Sequence, residues 1–221
     1  VTSGPIPLLY TLNEVGRNVM QGGSRRSALY GSMNWQHEDA ETLLHTKNWH
    51  DIEAGDTTIA ELKKSNFNFP APLDMMNISL NYDDEWLKDP INPIFMENVK
   101  QAMMTGEPGF SFNFGDKQNE TLRNACTEIT SEDDSDCCNL GSVNLANIGT
   151  LEEFKDVVSL GAKFLVCGLT RAHLPYDKVY KVREKNSRIG LGLMGMHEWL
   201  LQRGYKYAMV DELKQWMRTY E

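Results

Sequence analysis

Segments with the two-residue period of a strand alternate along this chain with segments of helical period, and few folds accept that order. Ser27 to Met33, Asp74 to Leu80, Asn124 to Ile129 and Cys138 to Asn144 read as strands. Leu8 to Met20 has helical spacing through Leu9, Leu12, Val15 and Val19, and Asp39 to Lys47 reads as a further helix. After Pro90 and Pro93 a helix is expected from about Ile94 to Met104, closed by Gly106 and Pro108. Leu151 to Cys167 is a strong amphipathic helix through Leu151, Phe154, Val158 and Leu165, with more helix expected near Leu191 to Gln202 and Asp211 to Tyr220. Such alternation implies an α/β fold, a sheet with helices outside it. It does not by itself choose between an open sheet and a closed barrel. With 221 residues, 41% of them hydrophobic, the chain can build one sizeable core or a large part of a bigger one.

One short stretch concentrates chemistry. Asn124-Ala125-Cys126-Thr127-Glu128 is followed ten residues later by Cys138-Asn139-Leu140-Gly141-Ser142-Val143-Asn144-Leu145. If residues 124–128 are extended, the side chains of Asn124, Cys126 and Glu128 share one face, while Ala125 and Thr127 point away. A carboxylate there can take a proton from a substrate hydroxyl, an amide can hold a neighbouring hydroxyl, and a thiol can act as nucleophile, metal ligand or hydrogen-atom carrier. The bland alternative is an edge strand showing its polar face to water. The cysteines are Cys126, Cys137, Cys138 and Cys167, without a C-x-x-C pair. With His37, His45, His50, His173 and His197 scattered along the chain, no metal site is expected. A Cys137–Cys138 disulfide would need a strained turn, because adjacent strand residues face opposite ways. Cys167, in the apolar Phe164-Leu165-Val166-Cys167, is expected to be a buried structural thiol.

A second segment, Gln21-Gly22-Gly23-Ser24-Arg25-Arg26, runs from a glycine-bearing loop into an apolar strand. Paired glycines permit close backbone approach to a ligand, and arginines supply forked donors for phosphate or a base edge. Taken alone, it also fits an ordinary Gly-Gly turn with solvated arginines.

Taken in order, these motifs resemble the catalytic large subunit of ribonucleotide reductase. That family carries an Asn-x-Cys-x-Glu segment and then Cys-Asn-Leu-Gly-Ser-[Ile/Val]-Asn-Leu. Met33 to Asp39, Asn77-Ile78-Ser79-Leu80 and Ser187 to Gly195 resemble further family stretches, so the likeness runs nearly end to end. The glycines of Ser187 to Gly195 are read as close packing, since the acidic partner of a dinucleotide fingerprint is missing. The resemblance implies a ten-stranded α/β barrel with a finger loop that lifts the radical cysteine into its centre. Cys126 would become the thiyl radical that takes the ribose 3′ hydrogen, with Glu128 as base on the 3′ hydroxyl and Asn124 as a hydrogen-bonding partner of the sugar hydroxyls. Cys138 would be half of the dithiol that reduces the substrate and ends as a disulfide. Gln21, Gly22, Gly23 and Arg25 would belong to the loop that links an allosteric deoxynucleoside triphosphate site to the substrate base.

The implied reaction is ribonucleoside di- or triphosphate reduction to deoxyribonucleotide. The short interval from Glu128 to Cys138 looks more like the adenosylcobalamin-dependent class II enzymes than those fed by a separate metallo-subunit. The implied partners are a ribonucleotide substrate, a deoxynucleoside triphosphate effector, a thioredoxin-like or glutaredoxin-like reductant, the remainder of the enzyme, and a second copy in a homodimer. Residues 1–221 are expected to be a partial barrel domain lacking N-terminal and C-terminal parts, because the family's other redox cysteine and its phosphate-cradling loop are not in this sequence. The rival reading is a non-catalytic nucleotide-binding or regulatory remnant of the same fold. A net charge of −9 disfavours a nucleic-acid partner. The acidic run Glu132 to Asp136 reads as a solvated loop. Unpaired thiols with no leader or apolar run of membrane-spanning length point to a cytoplasmic setting and no membrane.

Overall fold

The computed structural model describes residues 4–115 and 122–221. Two compact units divide the chain, Val1–Glu132 and Asp133–Glu221. Among the described residues no helix is long and apolar enough to cross a membrane.

The first unit contains α1 (Ile6–Asn18), β1 (Met20–Gln21), β2 (Arg25–Arg26), β3 (Leu29–Asn34) and α2 (Ala40–His45). It continues with β4 (Glu53–Ala54), β5 (Thr57–Thr58), α3 (Ile59–Ser65), β6 (Met76–Tyr82), α4 (Pro93–Thr105), β7 (Gly109–Phe112), β8 (Leu122–Arg123) and β9 (Thr130–Ser131). Its centre is a parallel sheet in the order β3-β6-β7. Strands of parallel sheets are usually apolar on both faces. Here they alternate: Met33, Met76, Ile78, Leu80 and Tyr82 enter the core with Leu43, Leu44 and Leu73, while Tyr30, Ser32, Asn34, Asn77, Ser79, Asn81 and Ser111 form the opposite, polar face. The first ring of the core is Tyr82, whose hydroxyl donates to Asn98 Oδ1 at 2.7 Å while Asn98 Nδ2 donates to the Pro108 carbonyl at 2.7 Å. Helix α4 begins and ends as its sequence dictates. Asn92 Oδ1 accepts from Phe95 N at 3.0 Å, Pro93 opens the first turn, and Gly106 closes it at φ 85°.

Helix α1 departs from its sequence pattern. Ile6, Asn13 and Gly16 are its buried positions, while Leu12, Val15 and Val19 are exposed. Asn13 is buried because it is a connector, its Oδ1 accepting from Met75 N at 2.8 Å.

The second unit contains β10 (Cys138–Asn144), α5 (Leu151–Arg171), α6 (Asp177–Asn186), β11 (Arg188–Met194), α7 (Met196–Gln202) and α8 (Asp211–Tyr220). β10 and β11 pair in parallel from Cys138↔Arg188 to Asn144↔Met194. The helix expected near Leu191 to Gln202 starts only at Met196. Ile189, Leu191 and Leu193 alternate with Gly190 and Gly192, and two glycines in four residues disfavour a helix. Those glycines do serve close packing: a Cβ on Gly190 would come within 2.6 Å of Leu140, and one on Gly192 within 3.2 Å of Ser142 Oγ. The core behind the strands gathers Leu145, Phe154, Trp199, Leu200, Leu213 and Trp216, with Phe154 stacked on Trp216 at 4.9 Å.

The acidic run is more than a solvated loop. The Asp136 side chain is only 3% exposed and takes Arg188 Nε at 2.8 Å and Asn186 Nδ2 at 2.8 Å. It therefore ties the start of β11 to the start of β10, because its other oxygen accepts from Cys137 N at 2.8 Å. Asp133 pairs with Lys185 at 2.8 Å.

Candidate active site

Asn124 to Ile129 do not form the expected strand. β8 and β9 pair antiparallel through Leu122↔Ser131 and Arg123↔Thr130, and the residues between them make a turn. Thr127 N donates to the Asn124 carbonyl at 2.9 Å, and Thr127 itself sits at φ 67°, in the left-handed region. The cause is Asn124, whose short amide competes for local backbone donors: its Oδ1 accepts from Ile129 N at 3.1 Å. The turn still unites two of the three polar groups, because Asn124 Nδ2 donates to Glu128 Oε1 at 2.6 Å. Cys126 is exposed in the turn, Glu128 is exposed and Asn124 half-buried. The Asn124–Glu128 pairing is made through a hairpin turn instead of strand alternation.

Side-chain hydrogen bonds fix this hairpin to the parallel sheet. Arg123 Nη2 donates to Asn113 Oδ1 at 2.5 Å, just past the end of β7. Asn77 Nδ2, on the polar face of β6, donates to the Ala125 carbonyl at 2.7 Å. A cavity of about 360 Å³ lies beside Cys126, lined also by Arg26, Ser27, Leu29, Asp74 and Asn77. The cysteine turn and the segment following the Gly-Gly loop thus share one cavity.

That loop is the connection between β1 and β2, which pair through Met20↔Arg26 and Gln21↔Arg25. Gly22 and Gly23 have φ of 58° and 75°, a backbone that side chains with a Cβ adopt poorly. The side chains of Gln21 and Arg25 lie outside the described residues. Arg26 is exposed and lies over the Phe67 ring at 5.7 Å.

Asp74 forms part of the wall of the same cavity. Its side chain is 1% exposed and meets Arg17 Nη2 at 2.6 Å and Lys63 Nζ at 2.7 Å. Burial acts to raise its pKa, but hydrogen bonds from Arg17, Lys63 and Asn13 outweigh that and hold the carboxyl at about 2. Asn77 and Asp74 were not singled out from the sequence as site residues. The polar alternation Asn77-x-Ser79-x-Asn81 in an otherwise apolar strand was the available signal for the first.

In the second unit Cys138 opens β10 opposite Arg188 and is half-buried. Cys137 is half-buried too, and burial, then the neighbouring Asp136 charge, push its thiol pKa up. Cys167 is exposed, against the expectation of a buried structural thiol. α5 turns its Phe154, Leu165 and Leu169 inward, leaving Phe164, Val166 and Cys167 outside. Among the described residues no cluster of three or more His, Cys, Asp or Glu could hold a metal ion.

Residues 84–218 match the family model described as ribonucleotide reductase, barrel domain. The chain belongs to that family. A Mycobacterium phage D29 protein whose name describes an adenosylcobalamin-dependent ribonucleoside-triphosphate reductase is 28% identical over 88% of this chain and 28% of its own length. A vitamin B12-dependent ribonucleoside-diphosphate reductase of Thermoplasma acidophilum is 25% identical over 97% of this chain and 30% of its own. The reductase fold is seen again in the class Id ribonucleotide reductase alpha subunit of Actinobacillus ureae, with TM-score 0.57 and 18% identity over 85% of this chain and 37% of that one. The chain therefore spans about a third or less of the curated relatives named here. The hairpin with Cys126 and the strand with Cys138 both lie inside the matched barrel-domain residues.

Proposed function

We propose that this chain is the part of a ribonucleotide reductase barrel that carries the radical cysteine and one of the two reducing thiols. The observation that carries the reading is the Asn124–Glu128 contact of 2.6 Å flanking an exposed Cys126, on a hairpin of a chain in the reductase barrel family. Cys126, as a thiyl radical, takes the hydrogen atom from the ribose 3′ carbon. Glu128 accepts the 3′ hydroxyl proton, and the Asn124 amide keeps that carboxylate aimed while offering its remaining polar capacity to the sugar hydroxyls. The 2′ hydroxyl leaves as water. Two thiols, one of them Cys138, supply the two electrons and become a disulfide, and a thioredoxin-like or glutaredoxin-like protein restores them. The hydrogen atom then returns from Cys126 to the 3′ carbon.

Adenosylcobalamin, in the name of the phage relative, with vitamin B12 in that of the archaeal one, would supply the radical that first oxidises Cys126. The described residues fit the receiving end of that step: the Cys126 thiol is exposed on a turn and lines a cavity. Gln21, Gly22, Gly23 and Arg25 would carry the message of a bound deoxynucleoside triphosphate to the substrate base, supported by the shared cavity that Arg26 and Cys126 line. The test is deoxyribonucleotide formation by the complete reductase with adenosylcobalamin, a ribonucleoside di- or triphosphate and a dithiol. Product is expected from the parent protein and none from Cys126→Ser. Turnover by the serine variant would refute the assignment.

A further inference from the structure

We propose that Asn77 is a positioning residue for the radical thiol, holding the turn that presents Cys126; the inference rests on the reading of Cys126 given above. The hairpin's own bonds close the turn around the thiol but do not anchor that turn to the sheet. Among the described residues its ladder consists of two pairs, and Cys126 and Glu128 on its turn are exposed. The peptide immediately before Cys126 is instead held from outside, by Asn77 Nδ2 donating to the Ala125 carbonyl at 2.7 Å. That bond fixes the carbonyl of the peptide whose nitrogen belongs to Cys126, so the cysteine's Cα can move only with it.

Asn77 is a firm support. It sits in β6, the central strand of the sheet, paired on one side with β3 through Tyr30↔Asn77. Its backbone neighbours are clamped: Lys47 Nζ binds the Met76 carbonyl and pairs with Glu107, and Ile78 N donates to Glu107 Oε2 at 3.3 Å. Met75 N is held by Asn13 at 2.8 Å. The Asn77 side chain is exposed, so it is not there to fill the core. Losing it frees the thiol without unfolding the strand.

Misplacement of a reacting group by about 1 Å costs on the order of 100-fold in rate. In the complete reductase Asn77→Ala is therefore expected to lower kcat by roughly 10- to 100-fold with KM nearly unchanged. Asn77→Asp has the same shape but only acceptor atoms facing the Ala125 carbonyl, and is expected to be at least as slow. Both should keep the parent Tm, and both should change the rate at which iodoacetamide alkylates Cys126 in the resting enzyme. Parent kcat in both variants, alongside an inactive Cys126→Ser, would overturn the role of Asn77 while leaving the radical assignment standing. A fall in kcat accompanied by an equal loss of Tm and unaltered Cys126 alkylation would make Asn77 a structural residue and also overturn it. Turnover by Cys126→Ser would bring down the underlying reading instead.

Discussion

Cys126 and Cys138 sit on opposite kinds of backbone. Cys126 is exposed on a turn whose ladder, among the described residues, has two pairs; Cys138 opens a strand of seven residues paired along its whole length with β11. Around Cys126 the order comes from side chains: Asn124 to Glu128, Asn77 to Ala125, Arg123 to Asn113. Around Cys138 it comes from the parallel ladder, from Asp136 buried against Arg188, and from the tryptophan core behind the sheet. On the proposed assignment the hydrogen-atom carrier sits on a turn held by side chains, and the reducing thiol on a strand held by its ladder.

The sharpest way to break this contrast is to separate activity from stability. Glu128→Gln in the hairpin should lower kcat of the complete reductase by about 10²–10⁴-fold, the usual worth of a positioned acid or base. Because Glu128 is exposed, its effect on unfolding free energy should stay within about 0.5 kcal/mol. Trp199→Ala should do the reverse. Trp199 is fully buried and edge-on to Trp216 at 5.0 Å, so its truncation should cost about 3–5 kcal/mol in denaturant melts. A large stability loss from Glu128→Gln would mean that the hairpin is structural.

A smaller effect is expected in acid. Asp74 has a folded pKa of about 2 against 3.8 unfolded. Its folded pKa is depressed, so its contribution is complete above about pH 4 and is lost as the pH falls toward 2. The loss amounts to roughly 2 kcal/mol of the first unit's stability. Asp74→Asn should flatten that part of the stability profile, and an unchanged profile would show that the Arg17–Asp74–Lys63 cluster is not the acid-sensitive element. The mildest prediction concerns thiol reactivity. Iodoacetamide should modify exposed Cys167 faster than half-buried Cys137, whose raised pKa leaves less thiolate at pH 8; peptide mass mapping over time reads the ratio.

The elements that the sequence shows clearly are those whose periodicity and caps agree. β10 and α8 coincide with their expected bounds, and α4 begins at Pro93 and stops at Gly106 as the Pro-in, Gly-out rule requires. The failures have separate causes. Asn124 to Ile129 has strand-like alternation, but Asn124 satisfies local donors and turns the chain. Leu191 to Gln202 mixes a glycine-bearing strand with the helix after it, so one apolar run spans two elements. Cys167 follows Val166 in an apolar helix end, yet the buried stripe of α5 passes through Leu165 and Leu169. For the site, the motif residues Asn124, Cys126 and Glu128 were legible as chemistry because they lie close in sequence. Asn77 and Asp74 were not, because their roles depend on partners distant in the chain, Ala125 for the first and Arg17 for the second.

The most direct test of the account is a single turnover of the complete reductase without added reductant, followed by alkylation of remaining thiols and peptide mapping. Cys138 is expected to become part of a disulfide in step with deoxyribonucleotide formed, while Cys126 remains an alkylatable thiol. Product formation with Cys138 still reduced, or with Cys126 locked in the disulfide, would contradict the division of labour between the hairpin and the strand.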